Sequence, residues 1–146
     1  MSSPSTPPLA FGCSCHRLRK LTRLMTQRYD QALAPAGVNV NQFAILRRAQ
    51  VEPKSISVLA LELGMDRTTL SRDLKPLVAA GWVVLRSSQD DARQRRIEVT
   101  PAGTEVIAAA RPLWHETQTD IEALLGHEQV SQLHAALDHA TGQLTQ

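Results

Sequence analysis

The stretch SISVLALELGMDRTTLSRDLKPLVAAGWVVLRSSQDDARQRRIEV, Ser55–Val99, decides the fold. It opens on Ser55-Ile56-Ser57, a short extended segment, after which Ser57 is placed to cap a short helix over Val58–Leu63. Gly64 stands where a tight turn needs positive φ. Asp66 is a good N-cap for a second helix reaching about Ala80, in which Leu70, Leu74, Leu77 and Val78 form an apolar stripe at helical spacing. Pro76 lies inside that helix, where it removes one backbone hydrogen bond and invites a bend. Gly81 supplies the C′ stop. Two runs of strand character follow, Trp82–Arg86 and Arg95–Thr100, the second alternating Ile97 and Val99 against Arg96 and Glu98. The polar segment 87–94 joins them as a hairpin tip. Short helix, glycine turn, second helix and hairpin, in this order, predict a helix-turn-helix with a β-wing.

The chemistry of these elements points to double-stranded DNA. A reading helix enters the major groove with its N-terminal residues nearest the bases. Here those residues are Arg67, Thr68, Thr69, Ser71, Arg72 and Lys75, away from the leucine stripe. Arginine pairs bidentately with guanine, threonine methyls touch the thymine methyl, and hydroxyls bond phosphates. A polar face of this kind also occurs on ordinary core helices, so the wing decides. Arg86, Arg93, Arg95 and Arg96 cluster around one hairpin, and a hairpin tip is thin enough for a minor groove. Asp91 is placed to orient the Arg93 guanidinium by a charge-assisted hydrogen bond. Ser55 and Lys54, at the head of the motif, are in reach of phosphate.

Working outward, residues 12–34 read as a helix with Leu18, Leu21, Met25 and Ala32 near one face and Arg17, Lys20, Arg23 and Arg28 among its polar positions. Pro35 and Gly37 end it. Asn39 or Asn41 caps a further helix to about Gln50, and Pro53 breaks the chain. On the other side of the wing, Thr100 caps and Pro101 opens a long helix that Pro112 should kink and Gly126 ends. A last helix carries Val130, Leu133, Leu137, Ala140 and Leu144 at 3-4-3-4 spacing. The expected fold class is mainly α: a winged helix-turn-helix over 38–100, a small antiparallel β-wing, and a helical dimerisation region from the N- and C-terminal helices, 12–36 and 101–146. Residues 1–11, rich in Ser and Pro, read as a disordered arm, and 12–146 as a single domain.

Composition agrees. Aromatic residues are only 3% of the 146, so the core must be aliphatic, which favours helices over a β-sandwich. The net charge of +2 hides an asymmetry: up to Arg111 there are sixteen basic and nine acidic residues, a balance of +7, while the remaining thirty-five carry five acids and no Lys or Arg. The front suits a polyanion and the tail another task. One reading head covers only a few base pairs; two on a two-fold axis read a pseudo-palindromic operator with half-sites about 34 Å apart. A homodimer built from the terminal helices is therefore expected.

Several stretches resemble the MarR family of winged-helix regulators: Val40–Leu46, Leu59–Leu70, Leu77–Val83 and, most specifically, Asp90–Gly103. The last is similar to that family's acidic-x-Arg wing leading into its Leu/Val-Thr-x-x-Gly helix start. The resemblance implies that Arg93 is the wing-tip arginine with Asp91 as its supporting carboxylate. It also implies a homodimeric transcriptional regulator, typically a repressor released by an effector.

Three effector classes stay open. Cys13-Ser14-Cys15-His16 begins the first helix, where the helix N-terminus with Arg17 and Arg19 favours a thiolate. Cys15 precedes Tyr29 by fourteen residues, which resembles the family's hydroperoxide-sensing branch, although Arg19 replaces that branch's second tyrosine and Cys13 is extra. Cys13, Cys15 and His16 could instead take a soft metal or arsenite. A small aromatic acid is the third class, with Tyr29, Phe43, Arg17 and Trp114 as candidate lining. No cofactor is expected. There is no phosphate loop, nucleophile elbow or His-Glu-x-x-His, which speaks against an enzyme. No signal peptide or run of eighteen apolar residues is present, so a cytoplasmic location without a membrane partner is expected. A winged helix can also bind RNA or protein, and weak salt dependence of duplex binding would mark that alternative.

Overall fold

The computed structural model describes residues 12–87, 90 and 93–145; the expected arm 1–11 and the candidate Asp91 lie outside the described residues. The elements run α1 (Ser14–Leu33), α2 (Val40–Val51), β1 (Lys54–Ser55), α3 (Ile56–Leu63), α4 (Arg67–Ala79), β2 (Val83–Ser87), β3 (Arg95–Val99), α5 (Pro101–Leu125) and α6 (His127–Leu144). The fold is mainly helical, a winged helix-turn-helix carried between terminal helices.

Local chemistry sets the boundaries. Pro35 sits in a 3-10 turn after α1, and Gly37 (φ 79°) turns the chain out of it. A reciprocal capping box starts α2: the Asn39 side chain accepts from the Gln42 backbone N–H, and the Gln42 side chain accepts from the Asn39 N–H. Thr100 caps α5 by accepting from Gly103 N–H at 3.1 Å. Its own hydroxyl donates to the Gly81 carbonyl at 2.6 Å, and its backbone N–H donates to the Trp82 carbonyl at 3.0 Å. One residue thus pins the start of α5 to the turn between α4 and β2.

Four expectations are corrected. Ser55, not Ser57, caps α3, accepting from Val58 N–H at 3.2 Å, so the helix begins two residues early at Ile56. The extended segment is Lys54–Ser55, because those residues pair with Ile97 and Arg96 and give a sheet ordered β1-β3-β2. Val78 is 41% exposed and leaves the stripe, while Leu70, Leu74 and Leu77 are buried. Trp82 and Thr100 fall just outside the strands, bonded to each other as described. Pro76 and Pro112 both sit inside continuous helices.

Among the described residues the core is aliphatic with one phenylalanine: Phe43, Leu46, Leu59, Leu70, Ile97 and Ile107 are each at most 1% exposed. Ile97 faces Leu85 across β2–β3. In α6 only Val130 is buried, and Leu144 is 85% exposed. Among the described residues, no helix is long and apolar enough to cross a membrane.

Candidate nucleic-acid interface

Helix α4 is positioned by its cap and its stripe. The Asp66 carboxylate accepts from Thr69 N–H at 2.7 Å and from the Thr69 hydroxyl at 3.1 Å. These hydrogen bonds, more than the neighbouring Arg72 charge, hold the Asp66 carboxyl below its ordinary range. With Leu70, Leu74 and Leu77 turned into the core, Thr68, Ser71, Arg72 and Lys75 form one exposed face at i, i+3, i+4 and i+7. Thr69 does not join them: it is half-buried and its hydroxyl proton is committed to Asp66.

The wing sorts its arginines by strand parity, since successive side chains leave opposite faces of a sheet. Arg96 shares the outer face with Glu98 and stands opposite Arg86, whose Nε lies 2.6 Å from a Glu98 carboxylate oxygen. Arg86 is therefore internally neutralised. Arg95 has the parity of buried Ile97 but lies one step past the core, opposite Ser87. Its side chain thus emerges on the α3–α4 side of the sheet. There a cavity of about 200 Å³ is lined by Ser55, Ile56, Ser57, Arg67, Arg93, Gln94 and Arg95. The start of α3, the start of α4 and the wing therefore share one concave surface. Lys54 is not part of it, because its Nζ lies 2.9 and 2.8 Å from the two Glu62 carboxylate oxygens. Its expected reach to phosphate is corrected accordingly. Ser57, read from sequence only as a cap, Gln94 and the apolar Ile56 are lining residues that the motif did not single out.

The sensor candidates are spread out. Cys13 and Cys15 are both exposed free thiols. Cys15 lines a shallow cavity with Leu18, Arg19 and Leu144, where the start of α1 meets the end of α6. Tyr29 is on the same helix, so fourteen residues of rise put it about 21 Å from Cys15. Its hydroxyl donates instead to Gln118 Oε1 on α5, and Gln118 Nε2 donates to Glu122 at 3.2 Å. Burial, then the Glu122 charge, pushes the Tyr29 phenol above its ordinary value. Among the described residues no three His, Cys, Asp or Glu gather as a metal site needs, so Cys13, Cys15 and His16 make no ready-made site.

The proposed aromatic lining also divides. Tyr29 lines a groove of about 330 Å³ between α1, α5 and α6, together with Leu21, Met25, Ile121 and Leu133. Phe43 is buried against Trp114 (ring centroids 6.3 Å apart), and the Arg47 guanidinium lies 4.7 Å from the Trp114 ring. Trp114, Arg47 and Arg111 line a separate cleft between α2 and α5, and exposed Arg17 borders neither. Arg47 went unnoticed in sequence, although it follows Phe43 by one helical turn.

Known proteins match this arrangement. The family model described as MarR family matches residues 36–94. The structure of the M. tuberculosis transcriptional regulator MosR in complex with DNA is 32% identical, covers 88% of this chain and 98% of that chain, and has a TM-score of 0.74. MosR solved without DNA is 30% identical over 93% of this chain and 99% of that one, with a TM-score of 0.76. The transcriptional repressor CouR, bound to a 23-mer DNA duplex, has a TM-score of 0.81 over 95% of this chain and 99% of that chain; at 20% identity it shares the fold.

Proposed function

The chain belongs to the MarR family of winged-helix transcriptional regulators, which are not enzymes, and from that premise we propose that two copies of it pair and read a pseudo-palindromic site on double-stranded DNA. One observation carries this reading: the start of α4 and the wing arginines open onto the same concave surface, beside an exposed Thr68/Ser71/Arg72/Lys75 face. A helix for the major groove and a hairpin for the flanking minor groove then approach one duplex from one side. Arg72 and Lys75 read base edges, Thr68 and Ser71 add hydroxyl and methyl contacts, and Arg93 with Arg95 works at the wing. The terminal helices pair the copies. Their apolar residues are incompletely covered within one chain: Leu18 is 45%, Leu137 36% and Leu144 85% exposed.

The protein acts in this reading as a repressor released by an effector. Thiol oxidation is the favoured signal because Cys15 is exposed at the junction of α1 and α6, the helices assigned to pairing. A hydroperoxide would transfer one oxygen to the Cys15 thiolate, giving a sulfenic acid and releasing the alcohol. The altered end of α1 would shift the spacing of the two reading heads.

Selection of bound sequences from random duplexes, with and without hydroperoxide, tests both parts. A palindrome with half-sites one turn apart is expected, and its loss on oxidation is expected only while Cys15 is present. Arg93→Ala should weaken binding by about 1–3 kcal/mol and reduce the preference for a narrow minor groove. Wild-type binding that barely changes between low and moderate salt would remove the DNA reading, since phosphate contacts release counterions. Unchanged operator affinity with Cys15 fully oxidised would remove the thiol signal.

A further inference from the structure

The geometry points to the cavity between α3, α4 and the wing as the seat of one DNA backbone phosphate, held by Arg67 and Arg95 with the Ser55 and Ser57 hydroxyls, so that Arg67 positions the duplex and does not read a base. This deepens the DNA-binding reading and rests on it.

Four features of the site carry the assignment. Among the described residues its lining is cationic and hydroxylic: three arginines, two serines, one glutamine and one isoleucine, with no carboxylate. An oxyanion is the ligand such a set suits, because guanidinium forks and hydroxyl protons are all donors. Its size is sufficient, since about 200 Å³ is many times the roughly 10–15 Å³ that seats one water and admits a tetrahedral oxyanion. The serines keep their donor capacity: Ser55 Oγ accepts the α3 cap bond from Val58 N–H and still has its hydroxyl proton to give, and Ser57, relieved of capping, is exposed. The fourth feature is direction. At about 100° per residue, Arg67 lies about 90° around α4 from the middle of the Thr68/Ser71/Arg72/Lys75 face. It sits on the flank between that face and the core, facing α3 and Arg95. A side chain anchored there meets the backbone at the groove edge, while the bases face the other four residues.

Phosphate contacts and base contacts differ in what they do to binding. The test measures dissociation constants of the full-length wild type, Arg67→Ala, Arg67→Lys and Arg72→Ala over a range of salt, against the selected operator, single-base variants of it and an unrelated duplex. Arg67→Ala is expected to weaken all duplexes by a similar factor, to leave the ranking of base variants unchanged, and to lower the salt slope by about one. Arg67→Lys should restore most of that loss, because a lysine can still neutralise a phosphate but cannot replace a bidentate fork on guanine. Arg72→Ala should instead compress the difference between operator and variants. Neutral methylphosphonate linkages, placed one at a time along a half-site, should reveal one position that costs the wild type affinity and costs Arg67→Ala nothing further. Relaxed preference at a particular base pair in Arg67→Ala, with no rescue by lysine, would overturn the assignment, as would a salt slope equal to that of wild type. Inorganic phosphate added at constant ionic strength should compete with wild type more than with Arg67→Ala; equal competition counts against the seat. Failure of the wild type to bind any duplex in a salt-dependent way sinks the parent reading, whereas steep wild-type binding with an indifferent Arg67 sinks only the seat.

Discussion

Tyr29 shows how one side chain ties the two ends of the chain together. It reaches from α1 to Gln118 on α5, and Gln118 passes the contact to Glu122. Burial and the Glu122 carboxylate make the phenolate unfavourable, so the pKa lies above 10.0 in the folded protein. The folded state therefore holds this proton more tightly than the unfolded chain. Its contribution to stability is complete below pH 10 and declines as pH rises through the folded pKa. Tyr29 is the single tyrosine of the chain, so tyrosinate absorbance reports on it alone. The folded protein should titrate above pH 10 and the urea-unfolded chain near it. A folded midpoint at or below the unfolded one would contradict the burial. Tyr29→Phe should lose about 1 kcal/mol at neutral pH, the net worth of one hydrogen bond, and its stability should fall less steeply above pH 10. At the same scale, Thr69 and Arg72 separate two roles that sequence alone merged. Thr69→Val should lower helix stability through the Asp66 cap and leave base preference intact, while Arg72→Ala should do the reverse.

Among the elements, α5 is fixed to the reading head at its first turn. Gly103 lets that turn approach β2: a Cβ there would stand 2.2 Å from the Trp82 carbonyl oxygen and 2.8 Å from Val99 Cγ1. Alanine would gain up to ~1 kcal/mol in helix propensity, but a clash with backbone cannot be relieved by a rotamer change. Overpacking of this kind costs about 1–3 kcal/mol, and here the displaced atom is the Trp82 carbonyl oxygen that accepts from Thr100 N–H. Gly103→Ala should therefore destabilise, lowering the melting temperature by roughly 2–4 °C per kcal/mol lost; an unchanged or higher melting temperature would refute the close contact. The caps and turns at Asp66, Thr100, Gly64 and Gly81 were legible in sequence because each rests on chemistry local to a few residues, whereas the α2 cap was narrowed only to Asn39 or Asn41, of which the structure uses Asn39. The start of α3 was not: Ser55 and Ser57 are equally good caps, and pairing of Lys54–Ser55 with β3, forty residues away, is what makes Ser55 the last extended residue. Likewise the wing's four arginines look equivalent in sequence. Strand register separates them, giving Arg86 to Glu98 and Arg95 to the cavity. Side-chain partners across elements, such as Lys54 with Glu62 or Arg47 with Trp114, have no sequence signal beyond compatible chemistry.

For the molecule as a whole, charge and apolar surface are segregated along α5. Twenty-five residues give it a length of about 37 Å, and its N-terminus is fixed beside the wing. The acids Glu116, Asp120 and Glu122 lie in its C-terminal half, and Glu128 and Asp138 on α6, so the five acids beyond Arg111 are carried away from the phosphate-facing surface. That placement keeps those five carboxylates away from the cations of α4 and the wing. The same far end carries the incompletely covered leucines and the groove between α1, α5 and α6. A second copy docked there would cover apolar surface without competing with the duplex. Leu137→Asp tests this division of labour, because Leu137 lines the groove yet is 36% exposed, so the single chain should tolerate the change. Sedimentation equilibrium at micromolar protein should show the wild type as a dimer and the variant as a monomer with unchanged helix content. Linking two reading heads typically raises affinity by about 10²–10⁴, so the variant should lose at least about a hundredfold on the full operator and little on a single half-site. A monomeric variant that still bound the full operator like wild type would show that each chain reads DNA alone, and the terminal helices would then need a different role.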